Sequence, residues 1–136
     1  MQSGNNLKIS AAAAADMRSH GQDAYPDECC GALLGSAGCI QRVSRLQNIA
    51  PDRRHRYEIN PSDWLAIERT GAAIGVYHTH PDAPAIPSDF DLERSWPGYL
   101  YIILQVVRGT PGDLRAWRID DSHGASRFAE FTIHID

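Results

Sequence analysis

Two histidines and an aspartate in the middle of the chain have side chains that could hold a metal ion. His78 and His80 follow an apolar run over residues 72–77, which predicts a strand. If this strand continues through His80, both imidazoles point to the same face, because side chains alternate along a strand. Asp91 falls in the first turn of a short helix that is predicted to begin at Ser88. Two imidazoles and a carboxylate suit zinc, and three protein ligands leave a fourth position for water.

The same residues also have an ordinary structural interpretation. Ser-x-x-Asp at the start of a helix is a capping arrangement, in which Ser88 and Asp91 satisfy free backbone N–H groups. A His-x-His pair alone is a weak signal of a metal site. The complete pattern is more specific, because His78-x-His80-Pro81 is followed after six residues by Ser88-x-x-Asp91. This pattern favours a metal site.

The pattern resembles the JAMM motif of the JAB/MPN zinc metallopeptidases. The family pattern also requires a glutamate upstream, near an early strand, and Glu28 stands there. The resemblance extends from about residue 11 to the C-terminus. It implies a single JAB/MPN domain over residues 1–136 and an α/β fold, in which a curved mixed β-sheet is flanked by helices as in the cytidine-deaminase-like α/β/α sandwich. The residues that match the motif in type and spacing are His78, His80, Ser88 and Asp91.

The resemblance implies a role for each of these residues. His78, His80 and Asp91 would bind one zinc ion per chain, with a water as the fourth ligand. Zinc lowers the pKa of a bound water to about 7. Glu28 would remove a proton from this water as general base and pass it to the leaving amine as general acid. The Ser88 hydroxyl would donate to the oxyanion of the tetrahedral intermediate. Without the motif, Glu28 would be interpreted as a surface charge beside a turn.

Composition excludes several classes of function. The 136 residues are 43% hydrophobic and 22% charged, with a net charge of −4, so there is no basic footprint for nucleic acid. No apolar run approaches the roughly 18 residues that span a bilayer, and the N-terminus has no signal-peptide pattern. Three cysteines do not form a disulfide framework, which favours a reducing cytoplasm. The sequence leaves a homodimer open.

Along the chain, apolar runs and turn residues predict alternating strands and helices. The second predicted helix is expected to face the core with its apolar residues Trp64, Leu65 and Ile67. The charged loop over residues 50–56 is predicted to be either a solvated turn or a rim that binds an extended substrate or an acidic partner surface. The predicted strands are 7–9, 29–34, 39–49, 57–59, 72–77 with a possible continuation through His80, 99–107, 114–119 and 128–135. The predicted helices are 11–23, 62–70 and the short one that begins at Ser88, and the predicted turns are 35–38, 109–112 and 121–124.

Other chemically interesting residues receive structural expectations. Thr79, between the two candidate ligands, should point into the core, and Cys30 should be a small buried hydrophobe. Trp96 either covers the C-terminus of a substrate or packs at a turn. The remaining histidines have no ligand spacing and are expected at the surface; they are His20, His55, His123 and His134.

The resemblance also implies a substrate. Segments 56–61 and 115–118 resemble compact bacterial members of the family, which act on ubiquitin-like sulfur-carrier proteins that end in Gly-Gly. There is no long insertion after Asp91, where polyubiquitin-specific members carry additional structure. The expected reaction is therefore hydrolysis of a peptide or isopeptide bond after that Gly-Gly. Three alternatives stay open: an isopeptidase for another ubiquitin-like modifier, a zinc hydrolase of small amides, and a non-catalytic MPN interaction module.

Overall fold

The structure is a computed structural model that describes residues 5–36, 38–120 and 126–136. Within these ranges, no helix is both long enough and apolar enough to cross a membrane. The helices are α1 (Ala11–Ala24), α2 (Pro61–Glu68) and α3 (Asp89–Arg94). The strands are β1 (Asn6–Ile9), β2 (Cys30–Ser36), β3 (Cys39–Leu46), β4 (Ala73–Pro81), β5 (Leu100–Val107), β6 (Thr110–Asp120) and β7 (Arg127–Ile135).

The strands form one mixed sheet that closes on itself in the order β1-β3-β2-β4-β5-β6-β7. The short strand β1 closes it by pairing parallel with both β3 and β7. Strands β4 and β5 are also parallel, and the chain between them contains α3. The predicted mixed α/β fold with a curved sheet is confirmed, and closure of the sheet is a feature that the sequence pattern did not predict.

Helix α1 covers part of this sheet. Ser10 caps its N-terminus, where the hydroxyl accepts a hydrogen bond of 3.0 Å from the N–H of Ala13. Ala13, Ala14 and Met17 are buried and pack with apolar residues of the strands, including the fully buried Ile9. The small alanine side chains allow the helix to approach the sheet closely. The helix therefore supplies one wall of the main core.

Close packing between β2 and β4 fixes the strand that carries the two histidines. Tyr77 is completely buried, and its ring lies against the backbone of Gly31. A Cβ atom at position 31 would be 2.2 Å from the Tyr77 ring, so only glycine fits there. The Tyr77 hydroxyl lies 2.7 Å from Nδ1 of His20 on α1. These contacts hold β4 rigidly immediately before its functional end.

The hairpin turn between β5 and β6 differs from the prediction over residues 109–112. Arg108 and Gly109 form the turn, with φ angles of 51° and 85°, and Val107 pairs with Thr110. Two-residue hairpin loops favour positive φ at both central positions, and Gly109 adopts it without strain. Pro111 consequently lies inside β6, next to an irregularity in the β5–β6 ladder. The predicted turn at 121–124 lies outside the described residues.

Helix α2 also differs from the prediction that its apolar side chains face the core. None of its residues is buried, and Leu65 is 46% exposed. The strand predicted just before it, over residues 57–59, is reduced to a single bridge between Asn48 and Ile59. The helix therefore presents apolar side chains to a surface groove instead of the core.

Candidate metal centre and adjoining groove

Strand β4 brings the two histidines together on one face. The strand continues through Pro81, which pairs with Val106, so the condition for a shared face is met. The Nε2 atoms of His78 and His80 lie 3.1 Å apart. The sequence prediction that both imidazoles point the same way is confirmed by this distance.

Helix α3 supplies the carboxylate. Its Asp91 Oδ2 lies 3.2 Å from His80 Nε2, and its Oδ1 lies 3.5 Å from His78 Nε2. The ligand atoms of all three residues lie within 4.8 Å of one another. A reciprocal cap fixes the aspartate: Asp91 Oδ2 accepts from the Ser88 N–H at 2.9 Å, and Ser88 Oγ accepts from the Asp91 N–H at 3.1 Å. The capping and metal interpretations of these residues are therefore compatible.

The hydrogen bonds of His80 fit a metal ligand. Its Nδ1 lies 2.7 Å from the carbonyl oxygen of Pro84, which can only accept, so the proton of the neutral ring is on Nδ1. The Nε2 lone pair then faces His78 and Asp91. This arrangement, in which the second ring nitrogen donates to a carbonyl, is the usual one for a ligating histidine. With two nitrogens and one carboxylate converging, the donor set fits zinc.

His78 is oriented by stacking. Its ring is almost completely buried, and the ring of Tyr57 stacks on it with centroids 4.4 Å apart and planes at 23°. Its Nδ1 has no hydrogen-bond partner among the described residues. The orientation of the His78 ring is therefore fixed by the stacked tyrosine, whereas that of the His80 ring is fixed by its hydrogen bond to the Pro84 carbonyl.

The environment favours the cation-binding forms of His78 and Asp91, whereas it favours the protonated ring of His80. Burial lowers the pKa of His78, which keeps its ring neutral. Burial acts in the same direction on His80, but hydrogen bonds to Asp91 and to the Pro84 carbonyl outweigh it and raise the pKa. Burial disfavours the charged form of Asp91, yet hydrogen bonds from both histidines hold its pKa well below the usual range. Asp91 is consequently a carboxylate at neutral pH.

The register between β2 and β4 places Glu28 beside this cluster. Cys30 pairs with His78, and the Thr79 N–H donates to the Cys29 carbonyl at 3.1 Å. Continuing the antiparallel register puts Glu28 opposite His80, and directly opposed residues share a face. Glu28 is only 7% exposed, so the interpretation as a surface charge is excluded.

Burial raises the pKa of Glu28 to about 8. The positive charge of His80 acts against this shift, whereas the negative charges of Asp91 and Asp52 add to it. A cation held by the neighbouring cluster would lower the pKa by direct attraction. Glu28 is thus a buried carboxyl whose proton affinity responds to the charge in the cluster, as proton transfer requires.

The charged loop over residues 50–56 contacts both sides of the cluster. Its Arg53 carbonyl accepts a hydrogen bond of 2.6 Å from the Glu28 N–H. The Arg56 guanidinium lies 4.5 Å from the ring centroid of Phe90 on α3, and Arg94 lies over the same ring at 5.2 Å. The loop is exposed, but it is also a rim of the candidate site, which favours the second of the two predicted interpretations.

A groove of about 500 Å³ adjoins the cluster. Tyr57, whose ring stacks on His78, belongs to its wall, so one side chain contacts both the groove and the cluster. Trp96, 60% exposed, lines it as well, and its ring stacks on that of Tyr99 with centroids 6.4 Å apart, so both predicted roles of this residue stay predictions. Sequence reasoning missed the groove because it assigned the apolar residues of α2 to the core. The other lining residues are Glu58, Ile59, Pro61, Trp64, Leu65, Glu68, Val76, Arg94, Tyr99 and Tyr101.

The remaining expectations concern residues outside the cluster. Thr79 is buried, and its hydroxyl accepts from the Cys29 N–H at 2.9 Å, as predicted for a side chain directed into the core. Cys30 is fully buried, also as predicted. His20 is not a surface residue, because it is half-buried against Tyr77 and burial lowers its pKa to about 4. His55 and His134 are exposed, as predicted, and His123 lies outside the described residues.

Comparison with known proteins places the chain among compact prokaryotic relatives. Residues 10–120 match the model of a family described as prokaryotic homologs of the JAB domain. The chain is 36% identical over 111 residues to the desampylase of Haloferax volcanii, covering 73% of this chain and 80% of that protein. It is 31% identical over 102 residues to a probable TtuB-protein conjugate cleaving protease of Thermus thermophilus, covering 71% and 66% respectively.

Solved structures show the same fold. A protein of Desulfitobacterium hafniense superposes with a TM-score of 0.80 at 22% identity, covering 96% of this chain and 92% of that one. A structure described as a metalloprotease-like JAMM zinc site in the proteasome and signalosome superposes with a TM-score of 0.55 at 20% identity, covering 95% and 98%. The arrangement of strands and helices is thus shared with JAMM structures.

Proposed function

The chain belongs to the family of prokaryotic homologs of the JAB domain and is a JAMM-type hydrolase, and we propose that it hydrolyses the bond after the C-terminal Gly-Gly of a ubiquitin-like sulfur-carrier protein. The bond is either the peptide bond to a C-terminal extension or the isopeptide bond to a conjugated protein. Zinc, one ion per chain, is the proposed cofactor. The enzyme acts in the cytoplasm as one domain over residues 1–136.

The convergence of His78, His80 and Asp91 beside the buried Glu28 is the observation that carries this proposal. The Thermus thermophilus relative supports the substrate class, because its printed name describes cleavage of a conjugate between TtuB and a protein. The groove of about 500 Å³ beside the cluster gives an extended polypeptide room to approach. A small amide would need no such groove.

In the proposed reaction, the residues bind the metal, transfer protons or hold the substrate. Zinc, held by His78, His80 and Asp91, would polarise the scissile carbonyl and make water acidic enough to lose a proton near pH 7. The Glu28 carboxylate takes the proton from the attacking water and gives it to the leaving nitrogen. The groove holds the part of the polypeptide that precedes the scissile bond and contributes its carbonyl group. Tyr57 keeps the His78 ring in place by stacking on it.

Ser88 has the hydrogen-bonding capacity for an additional role. Its Oγ accepts from the Asp91 N–H and thereby uses a lone pair, not its proton. The hydroxyl is on an exposed residue beside the cluster, so the proton is available to an incoming oxyanion. We assign Ser88 as an oxyanion donor that also caps α3.

Replacing Ser88 by glycine separates these two roles. Glycine retains most of the capping ability of serine but removes the hydroxyl. We expect Ser88→Gly to remain folded, keep its metal and lose about 10²–10³-fold in kcat with little change in KM, because the lost bond forms mainly in the transition state. Steady-state kinetics and thermal unfolding measure the two effects. A kcat within a few-fold of wild type would make Ser88 a structural cap only.

A substrate panel tests the function itself. The zinc-loaded enzyme is incubated with a Gly-Gly sulfur carrier bearing a short C-terminal peptide, with the same carrier joined to a lysine, and with ubiquitin fused to the same peptide. For both carrier substrates, mass spectrometry should show a product that ends in Gly-Gly, which means that the bond directly after Gly-Gly has been cleaved. Preferential cleavage of the ubiquitin fusion would instead indicate an isopeptidase for another modifier, and cleavage of none would contradict the proposal.

A further inference from the structure

The side chain of Asn48 makes every hydrogen bond that an amide can make. Its Nδ2 donates to the carbonyl oxygens of Glu28 at 2.9 Å and of Arg56 at 3.0 Å. Its Oδ1 accepts from the N–H groups of Ala50 at 3.0 Å and of Glu58 at 3.1 Å. An amide has two donors and two acceptor lone pairs. All four partners are backbone groups, so Asn48 fixes the path of the chain and does not pair with another side chain.

These four bonds join the two segments that flank the candidate metal centre. One partner is the peptide of Glu28, whose N–H is held in turn by the Arg53 carbonyl at 2.6 Å. Two others, Arg56 and Glu58, lie on either side of Tyr57, whose ring stacks on His78. A single amide therefore sets the distance between the backbone of Glu28 and the backbone that carries the ring over His78.

No regular secondary structure holds these segments. Glu28 lies just before β2, and residues 50–58 form a loop whose ends are joined by the bridge between Asn48 and Ile59 and by a bond of 2.9 Å from the Ile49 N–H to the Glu58 carbonyl. Loops without ladder hydrogen bonds open more readily than strands. The backbone of Glu28 is therefore held from this side by two bonds, one from the Asn48 amide to its carbonyl and one from its N–H to the Arg53 carbonyl.

We propose that Asn48 is a positioning residue for the hydrolytic reaction: it holds Glu28 at the distance and angle from the metal ligands at which its carboxylate can transfer protons. The inference rests on the proposed function of Glu28 and adds a residue outside the JAMM motif. Asn48 does not touch substrate or metal, so its effect passes through Glu28.

Asn48→Asp is the sharpest test, because it has nearly the same size and keeps both acceptor bonds. It replaces the Nδ2 donor by an oxygen that faces the two carbonyls of Glu28 and Arg56. We expect this variant to keep its zinc and lose about 10–100-fold in kcat, the cost typical of lost outer-shell support or of misplacement by about 1 Å. KM should change less than kcat, because the bond from the N–H of Glu58, which belongs to the groove wall, is retained.

A double-mutant cycle shows whether the loss passes through Glu28. In a Glu28→Gln background, adding Asn48→Asp should lower kcat no further, because there is no carboxylate left to position. Ser10→Ala, which removes the cap of the distant helix α1, is the control for a general loss of stability and should keep full kcat. A full additional loss in the double variant would overturn the proposal.

Amide hydrogen exchange in the metal-free protein gives a readout that does not depend on activity. In Asn48→Asp and in Asn48→Ala, the Glu28 N–H should exchange faster than in wild type, whereas amides of β5 should not. If the enzyme cleaves no substrate, this measurement alone decides, and unchanged exchange at Glu28 overturns the proposal. Global unfolding of every Asn48 variant would do so too, because the amide would then support the whole fold.

Discussion

Glu28→Gln is expected to lower kcat by about 10²–10⁴-fold, towards the upper end of that range, while the protein keeps its zinc. Glutamine has nearly the same shape but cannot accept and return a proton. The upper end is expected because one carboxyl serves both proton transfers. Glu28 is not among the ligand atoms that converge within 4.8 Å, so metal content should not fall. Single-turnover kinetics and elemental analysis of the purified variant measure both quantities.

Glu130→Gln is the matched control. Glu130 pairs with Arg115 between β6 and β7, through bonds of 2.7 Å, and is exposed. Removing its charge should leave both kcat and zinc content at the wild-type level. A Glu28→Gln enzyme with activity within a few-fold of wild type, or one that has lost its zinc, would contradict the role of Glu28 as the proton-transfer group.

Removal of the metal is expected to abolish hydrolysis, and added zinc should restore it. The reaction needs the acidified water and the polarised carbonyl that zinc supplies, and the side chains alone provide neither. Chelation should also lower the melting temperature, because an ion that binds only the folded state stabilises it. Elemental analysis should give one zinc per chain in the active protein.

His78→Ala serves as the genetic counterpart of chelation. It removes the most deeply buried of the three ligands and should lower both zinc content and activity to background. His134→Ala, which changes an exposed histidine on β7, should change neither. Turnover by a preparation that contains no divalent metal would exclude the mechanism.

The metal cluster could be predicted from the sequence because its geometry is local. His78 and His80 share a face through strand periodicity, and the Ser88–Asp91 cap belongs to one helix start. The complete motif then pointed to the approach of Asp91 to the two histidines. Glu28 was different: only the family pattern pointed to it, since its position opposite His80 depends on the pairing of β2 with β4. Such a register is not visible in a single sequence.

The groove beside α2 and the hydrogen bonds of Asn48 around Glu28 could not be predicted either, because both depend on contacts between residues that are distant in sequence. The apolar residues of α2 were expected in the core because a hydrophobic side chain does not reveal which partner it faces. Asn48 is one asparagine at the end of a predicted strand, and its importance comes from four backbone groups, three of which lie 8, 10 and 20 residues away. The tight turn at Arg108 was misplaced because proline at 111 was assigned to the turn itself.

Closure of the sheet determines how a polypeptide can approach. Over the described ranges, every strand has a neighbour on both sides, with β1 completing the circle between β3 and β7. Where β1 covers its two neighbours, a substrate segment therefore finds no open edge to which it could add as another strand, a common mode of peptide recognition. The seam is short, since β1 pairs with β3 through only two registered positions, Lys8 with Cys39 and Ile9 with Ile40. Displacing these few residues would uncover two sheet edges at once, and exposed edges promote self-association.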